Sequence, residues 1–461
     1  MGISGYLAPS PGGLQRARPG AIARMRSISG EAWIVGALTV AAAVIRLLVI
    51  DTQSFWQDEA LTAFEARLPL GAMLHVVTHV ETTPPLYFVL IWAWAHLFGT
   101  SETALRLPSA LAGVALVPVC YLCGRELASR RAGVLAAALA TASPFLIWYS
   151  QEARAYMLLS ALCGASLLWF IRAWRRPTAP NLAWWAVFSG LAVMTHFFAG
   201  FLVAPEALWL LLSARSRVAA LSVSAVAVVQ AAMLPFAAAD TGHGTGWIAA
   251  VPHLNRLSDA VAEWGVSILY RRAFRHEGLI LGAVVVVVPA LLVLASSDRR
   301  SRVAAGLCGL LVLLVWGVPF GLGYLGQDYF LARNVMPAVV PLIVLIAVAC
   351  TAPGVRVPGA LVAVALLGSF GYAAVRVQTH PYLERPNWRA VARALGPAAM
   401  PRAILASGGT TADPLKIYLA GVAWSTAPGQ RFTIREVDVV GATKDFALLP
   451  VHTRGRRGVF E

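Results

Sequence analysis

Pro84-Pro85-Leu86-Tyr87-Phe88-Val89-Leu90-Ile91-Trp92-Ala93-Trp94-Ala95-His96-Leu97-Phe98-Gly99 is the stretch whose reading decides the fold. It is apolar, opens on two prolines and closes on a glycine. It runs for 16 residues, short of the ~20 that a membrane-spanning helix needs. Whether it crosses a bilayer sets the side on which everything after it lies. If it crosses, Arg125, Arg130, Arg131, Arg172, Arg175, Arg176, Arg299, Arg300 and Arg302 all face outward. If it lies in the interface as a tryptophan-rich amphipathic helix, all nine face the cytoplasm, where short loops concentrate arginine and lysine. The charge census favours the second reading.

The rest of the chain supports a membrane setting. Of its 461 residues, 58% are hydrophobic and 13% charged, against about 25% charged in soluble proteins. Apolar runs near 20 residues recur, as in a polytopic membrane protein. The net charge of +15 sits in short arginine clusters between those runs. That pattern encodes orientation in a bilayer and argues against a nucleic-acid partner. Cys120, Cys123, Cys163, Cys308 and Cys350 all lie in apolar runs, and Cys120-x-x-Cys123 has no second pair, so packing is their expected role. His75 and His79 have metal-ligand spacing, but a solvated helix face is the simpler reading, and no metal site is assigned.

The topology follows. Met1 to Gly30 is rich in Gly, Pro and Arg without an apolar h-region, so it reads as a cytoplasmic tail. Arg16, Arg18, Arg24 and Arg26 precede the first span, Glu31 to Ile50. Residues 51 to about 103 form one external loop carrying interfacial helices. Further spans are expected at 104–123, 131–148, 153–171, 182–196, 198–213, 218–237, 277–295, 303–324, 334–351 and 357–375, about eleven transmembrane helices in all. A second external loop, about 238–276, holds Asp240, His243, Trp247, Asp259 and Glu263. The odd count places the C-terminus outside. The expected organisation is a cytoplasmic tail (1–30), an all-α transmembrane catalytic domain (31–375) and a small α/β extracytoplasmic domain (376–461). In the last, Asn387 to Leu395 reads as a helix, and Ala403 to Ala406 and Arg431 to Val440 as strands.

With this topology four polar features share one outer surface. They are Asp58-Glu59 within Phe55-Trp56-Gln57-Asp58-Glu59-Ala60, Arg106 in Arg106-Leu107-Pro108-Ser109, the turn Tyr149-Ser150-Gln151-Glu152-Ala153-Arg154-Ala155-Tyr156, and Arg333-Asn334. Taken singly, Arg106 and Arg333 read as snorkelling anchors, and Glu152 with Arg154 as a loop ion pair. Taken together they suit transfer of a sugar from a lipid-linked phosphate. Arginines at headgroup depth bind the phosphate and stabilise the charge that builds as it leaves. A carboxylate, Asp58, takes the proton from an acceptor hydroxyl. Its neighbour Glu59 raises the pKa of the first or holds the acceptor. Phosphate leaves without a proton, so the displacement is direct and inverting. The rival reading is a polytopic transporter or lipid flippase for cell-envelope precursors, which would carry ionisable groups near the bilayer midplane.

Trp56-Gln57-Asp58-Glu59-Ala60, Thr83-Pro84-Pro85-Leu86-Tyr87 and Arg106-Leu107-Pro108-Ser109 resemble the first external loop and second span of the dolichyl-phosphate-mannose protein mannosyltransferase-like clan. That clan includes bacterial lipid A aminoarabinose transferases. Ser143-Pro144 with the turn after it, and Arg333-Asn334 with Pro337 and Pro341, are also similar, so the resemblance covers about residues 31 to 350. Asn387-Trp388-Arg389 resembles the start of the outer tail in the bacterial branch. The resemblance implies a GT-C fold and a polyprenyl-phosphate sugar donor, with mannose or another hexose or pentose as the sugar. It also implies an acceptor at the outer face of the plasma membrane, with protein, lipid and polysaccharide all open. It implies that Asp58 is the base with Glu59 beside it, that Arg106 and Arg333 bind the donor phosphate, and that Glu152, Arg154, Tyr156 and Asn334 line the site. Metal use varies across the clan, which leaves a divalent ion open and no cofactor assigned. Thr83 stands where relatives often have His or Lys, and Asn334 where they often have Tyr; both differences bear on sugar and acceptor identity.

Overall fold

The computed structural model describes residues 30–79, 81, 83–239, 246–266, 275–296, 298–379, 384–398, 400–406, 409–419, 422 and 435–440. The expected tail over residues 1–29, together with Asp240 and His243, lies outside them. The helices run α1 (Gly30–Leu47), α2 (Gln57–Glu65), α3 (Leu70–His79), α4 (Leu86–Phe98), α5 (Glu102–Leu127), α6 (Arg130–Ala142), α7 (Pro144–Ser150), α8 (Tyr156–Arg175), α9 (Ala179–Thr195) and α10 (Gly200–Ala214). They continue as α11 (Arg217–Ala239), α12 (Gly246–Ala249), α13 (His253–Val266), α14 (Arg275–Ala295), α15 (Arg299–Gly323), α16 (Val339–Thr351), α17 (Arg356–Thr379), α18 (Trp388–Leu395) and α19 (Gly409–Tyr418). One parallel pair of strands, β1 (Arg402–Ala406) and β2 (Glu436–Val440), sets Arg402 opposite Glu436.

Among the described residues, seven helices are long and apolar enough to cross a membrane: α1, α5, α8, α10 with the turn before it, α11, α15 and α17. α6 and α7 make an eighth if their 57° bend is one broken span. The other three expected spans fall on α9, α14 and α16. α16 is apolar on every face and accordingly sits at the centre, enclosed by α5, α6, α8, α14, α15 and α17.

The deciding stretch forms α4. Its 13 residues extend about 20 Å, against a hydrocarbon core of about 30 Å. Pro85 starts it and Gly99 stops it, at a φ of +83° that only glycine adopts readily. Trp92 Nε1 donates to Leu68 O and Trp94 Nε1 to Ala104 O, both at 2.9 Å, so the helix is pinned to the turn between α2 and α3 and to the start of α5. α2, α3 and α4 share a second apolar core of Phe55, Met73, Val77, Phe88 and Ile91, separate from that of the bundle.

The α6–α7 bend has an identifiable cause. Pro144 lacks an N–H, so the Ala140 carbonyl loses its helical partner. Arg46, fully buried in α1, supplies the missing donors. Its Nη2 donates to Ala140 O at 3.0 Å, Nη1 to Thr141 O at 3.4 Å and Nε to Ser150 Oγ at 3.0 Å. Gly113 of α5 passes so close that a Cβ there would overlap Ser150 Oγ. Ser143 caps α7 by accepting from Leu146 N. The bend aims the segment 151–155 back at α2.

The tail after α17 returns to the same place. Trp388 N donates to Ser54 Oγ at 2.8 Å, and Arg389 Nη2 to the carbonyls of Asp51 and Thr52 at 2.6 and 2.8 Å. Phe55 N donates to Tyr418 Oη at 2.7 Å, and Tyr418 in turn donates to Glu102. The expected helix and first strand are present. The second strand is found over 436–440, while 431–434 lies outside the described residues. α19 is an element that sequence reading did not anticipate.

Replacing Arg46 by Leu leaves two carbonyls and a serine without donors in an apolar setting. Arg46→Leu should destabilise the protein by about 2–4 kcal/mol, read as a lowered thermal midpoint in detergent. Gly113→Ala should do the same by overlap alone.

Candidate active site

Gln57, Asp58 and Glu59 are the first residues of α2. Carboxylates are favoured there by the unpaired amides of a helix N-terminus. Successive helical residues point about 100° apart, so the two acids enter different surroundings. Glu59 turns inward and is fully buried. Arg106 grips it with two parallel bonds, Nε to Oε1 and Nη2 to Oε2, both 2.7 Å. Ala153 N donates to Oε1 at 2.9 Å, and Arg385 Nη1 lies 3.5 Å from Oε2. Burial alone would push its pKa up, but Arg106 and Arg385 hold the carboxyl below the usual range.

Arg106 has no donor left over. Its remaining N–H groups go to the carbonyls of Ile50 (2.9 Å), Gln53 (2.7 Å) and Ser54 (3.2 Å). It is 1% exposed. In the structure the side chain of Arg106, expected at the donor phosphate, closes the chain entry to α2. Glu59 likewise sits behind Asp58 instead of beside it on an open surface.

Asp58 turns the other way and is partly open. Arg333 Nη1 donates to its Oδ2 at 3.2 Å. The Arg333 guanidinium lies 5.8 Å from the Tyr156 ring centre and 5.9 Å from that of Trp247. Arg333, Tyr156, Asn334, His196 and Thr83 line the polar side of a cavity of about 400 Å³. Phe197, Phe198, Phe201, Pro319, Leu322 and Leu331 line its apolar side. Asn334 Nδ2 donates to Tyr329 O at 2.8 Å, which fixes the turn carrying Arg333.

Glu152 and Arg154 flank the acidic doublet on separate sides. Glu152 Oε2 accepts from Arg385 Nη2 at 2.7 Å, while Oε1 is buried without a hydrogen-bond partner among the described residues. Burial pushes Glu152 up to about 7, against the pull of Arg385 and with help from Glu59 and Asp58. Arg154 binds Glu81 through Nη1–Oε1 at 3.2 Å and Nη2–Oε2 at 2.9 Å. Glu65, buried next to Glu81, is pushed up to about 9 by burial and that neighbour, so it is protonated at neutral pH.

The fold thus brings Arg333, Asn334 and Tyr156 to one cavity, with Asp58 paired to Arg333, Glu59, Arg106 and Glu152 packed behind and Arg154 to one side. Sequence reading missed Arg385 and Glu81. Arg385 comes from the tail, donates also to Gln151 O at 3.0 Å and lies 4.3 Å from the Trp148 ring centre. Its only signal was its place two residues before the Asn387-Trp388-Arg389 motif. His75 and His79 pack ring to ring, 4.3 Å apart, on exposed α3. No group of three His, Cys, Asp or Glu suited to a metal occurs among the described residues.

A polytopic helical bundle of this kind, with short helices folded over a carboxylate at the end of the first span, is a GT-C fold. The chain has that fold, as its resemblance implied. ArnT from Cupriavidus metallidurans, in a crystal structure bound to undecaprenyl phosphate, superposes with a TM-score of 0.53 at 17% identity, over 85% of this chain and 86% of that one. The apo state of the same protein gives 0.52 at 16% identity, over 84% of each chain. Residues 82–239 match the family model described as dolichyl-phosphate-mannose-protein mannosyltransferase. Comparison with curated proteins found no match.

The raised Glu152 carboxyl has a pH signature. Its folded pKa exceeds the unfolded value of 4.5, so the folded state holds this proton more tightly, and stability falls as pH rises between the two values. Glu152→Gln removes that slope. The stability of the variant relative to wild type should climb from about pH 4.5 to about pH 7 and then level off, by at most about 3 kcal/mol. Thermal unfolding across that range is the measurement; a flat difference would remove the assignment.

Proposed function

We propose that this protein is an inverting glycosyltransferase that moves a sugar from a polyprenyl-phosphate donor to an acceptor hydroxyl at the outer face of the plasma membrane. The observation that carries the reading is the cavity whose apolar wall leads to Arg333, with Asp58 3.2 Å from that guanidinium. A polyprenyl chain matches the apolar wall and its phosphate matches Arg333. The undecaprenyl phosphate bound in the similarly folded ArnT supports this class of lipid. The sugar is mannose or another hexose or pentose, and the acceptor a protein, lipid or polysaccharide.

The chemistry follows from the residues. The donor phosphate competes with Asp58 for Arg333, so donor binding loosens the resting ion pair and frees Asp58 as a base. Asp58 accepts the proton of the acceptor hydroxyl, whose oxygen attacks the anomeric carbon opposite the phosphate. The bond to phosphate breaks as the new one forms, and configuration inverts. Arg333 stabilises the charge on the departing phosphate. Glu59, held by Arg106 and Arg385, is a positioning residue that fixes the first turn of α2 and hence Asp58. Glu152, packed behind with Arg385, helps hold that guanidinium against Glu59.

A transporter would distribute ionisable groups across the bilayer. Among the described residues the carboxyl near mid-span, Glu206 of α10, instead accepts from Ser166 Oγ at 2.6 Å and Trp185 Nε1 at 2.9 Å, tying α8, α9 and α10 together.

Asp58→Asn keeps the size of the side chain and loses the base. It should reduce transfer from synthetic polyprenyl-phosphate sugars by about 10²–10⁴-fold while still binding polyprenyl phosphate. Undiminished transfer would sink the mechanism. Arg333→Ala should weaken polyprenyl-phosphate binding by about tenfold or more, in line with a charge-assisted contact of ~1.5–3 kcal/mol; unchanged affinity would refute its role.

A further inference from the structure

The far end of the bundle carries a second concentration of charge that the proposed reaction does not use. α5 is 26 residues long, about 39 Å, and it ends in Arg125-Glu126-Leu127. Two arginines from other helices meet there. Arg175, the last residue of α8, donates Nη2 to Leu127 O at 3.4 Å. Arg300, in the first turn of α15, donates Nε to the same oxygen at 3.1 Å and Nη2 to Glu126 O at 3.1 Å. Two guanidiniums on one carbonyl lie side by side.

The nearby carboxylates are engaged elsewhere. Glu126 pairs with Arg172 at 2.8 Å. Asp298 caps α15 through Ser301 N at 2.8 Å and Ser301 Oγ at 2.6 Å. Glu31 pairs with Arg130 at 3.0 Å and accepts from Tyr121 Oη at 2.9 Å. Arg300 divides two grooves. One of about 660 Å³ is lined by Trp174, Arg175, Asp298, Arg299, Val303 and Ala304. The other, about 450 Å³, is lined by Arg125 and Arg130 among others.

We propose that Arg175, Arg299 and Arg300 hold the phosphate of an anionic phospholipid headgroup, with the start of its acyl chains against Trp174, Val303 and Ala304. Three arginines face one carboxylate in this groove, and that carboxylate, Asp298, is taken up by Ser301; the excess of cations favours an anion, and a guanidinium matches phosphate geometry. The groove is half apolar and lies at the ends of three spanning helices, α5, α8 and α15, where a bilayer places its headgroups. Basic pockets between spanning helices recognise lipid phosphates in this way. The apolar floor selects a lipid over a soluble phosphate.

The test uses the full-length protein in neutral detergent, with native mass spectrometry of added phosphatidylglycerol and phosphatidylcholine. The wild type should retain phosphatidylglycerol at least tenfold better than phosphatidylcholine. Each arginine removed should cost roughly fivefold in phosphatidylglycerol affinity, so Arg175→Gln with Arg300→Gln should abolish the preference. Arg299→Gln, whose side chain makes no hydrogen bond among the described residues, should reduce it about fivefold and decides the matter alone if the double variant folds poorly. Arg217→Gln, at the exposed start of α11, should leave it unchanged. Equal retention of the two lipids by the wild type, an undiminished preference in Arg299→Gln, a matching loss in Arg217→Gln, or displacement of the lipid by equimolar inorganic phosphate would each overturn the proposal.

Discussion

The structure depends on one buried carboxylate. Glu59 has no water contact and accepts from Arg106, Arg385 and the Ala153 amide. Those donors come from α5, from the tail and from the segment after α7. An unpaired charge in that position would cost several kcal/mol, so the three segments are held to the first turn of α2 by a single requirement. Asp58 is one residue away and inherits that placement. The open acid is positioned because the closed one cannot move.

The second constraint is the break at Ser143-Pro144. A proline there removes one helical hydrogen bond and turns α7 by 57°. Without Arg46 the freed carbonyls would face an apolar interior. With it, the turn is stable, and Gln151 to Ala155 arrive beside α2. A charge inside a span usually marks chemistry; here it serves geometry.

Much of this was legible in the chain. The apolar runs are long and separated by arginines, so most helices fall within a few residues of their expected places. The shortness of the Pro84–Gly99 stretch, with its paired prolines, was enough to keep Asp58, Glu152 and Arg333 on one face. The roles of Arg106 and Arg385 were not legible. An arginine at a span end reads the same whether it binds a ligand or a carboxylate 47 residues away, and nothing local distinguishes the two. The α6–α7 bend was hidden because hydropathy sees composition and not direction, so 131–148 read as one straight span. α19 was hidden because Pro414 and its glycine-rich start speak against a helix, and its docking through Tyr418 overrides that local preference.

The reach of Arg385 into the cluster has a consequence for biosynthesis. It follows Glu152 in the chain by 233 residues. At ~5–20 residues per second, that guanidinium leaves the ribosome roughly 12–47 s after the glutamate it binds. For that interval the nascent bundle holds a crowded set of acids lacking one of its cations. The pocket is therefore a late product of translation, completed only when the returning strap docks.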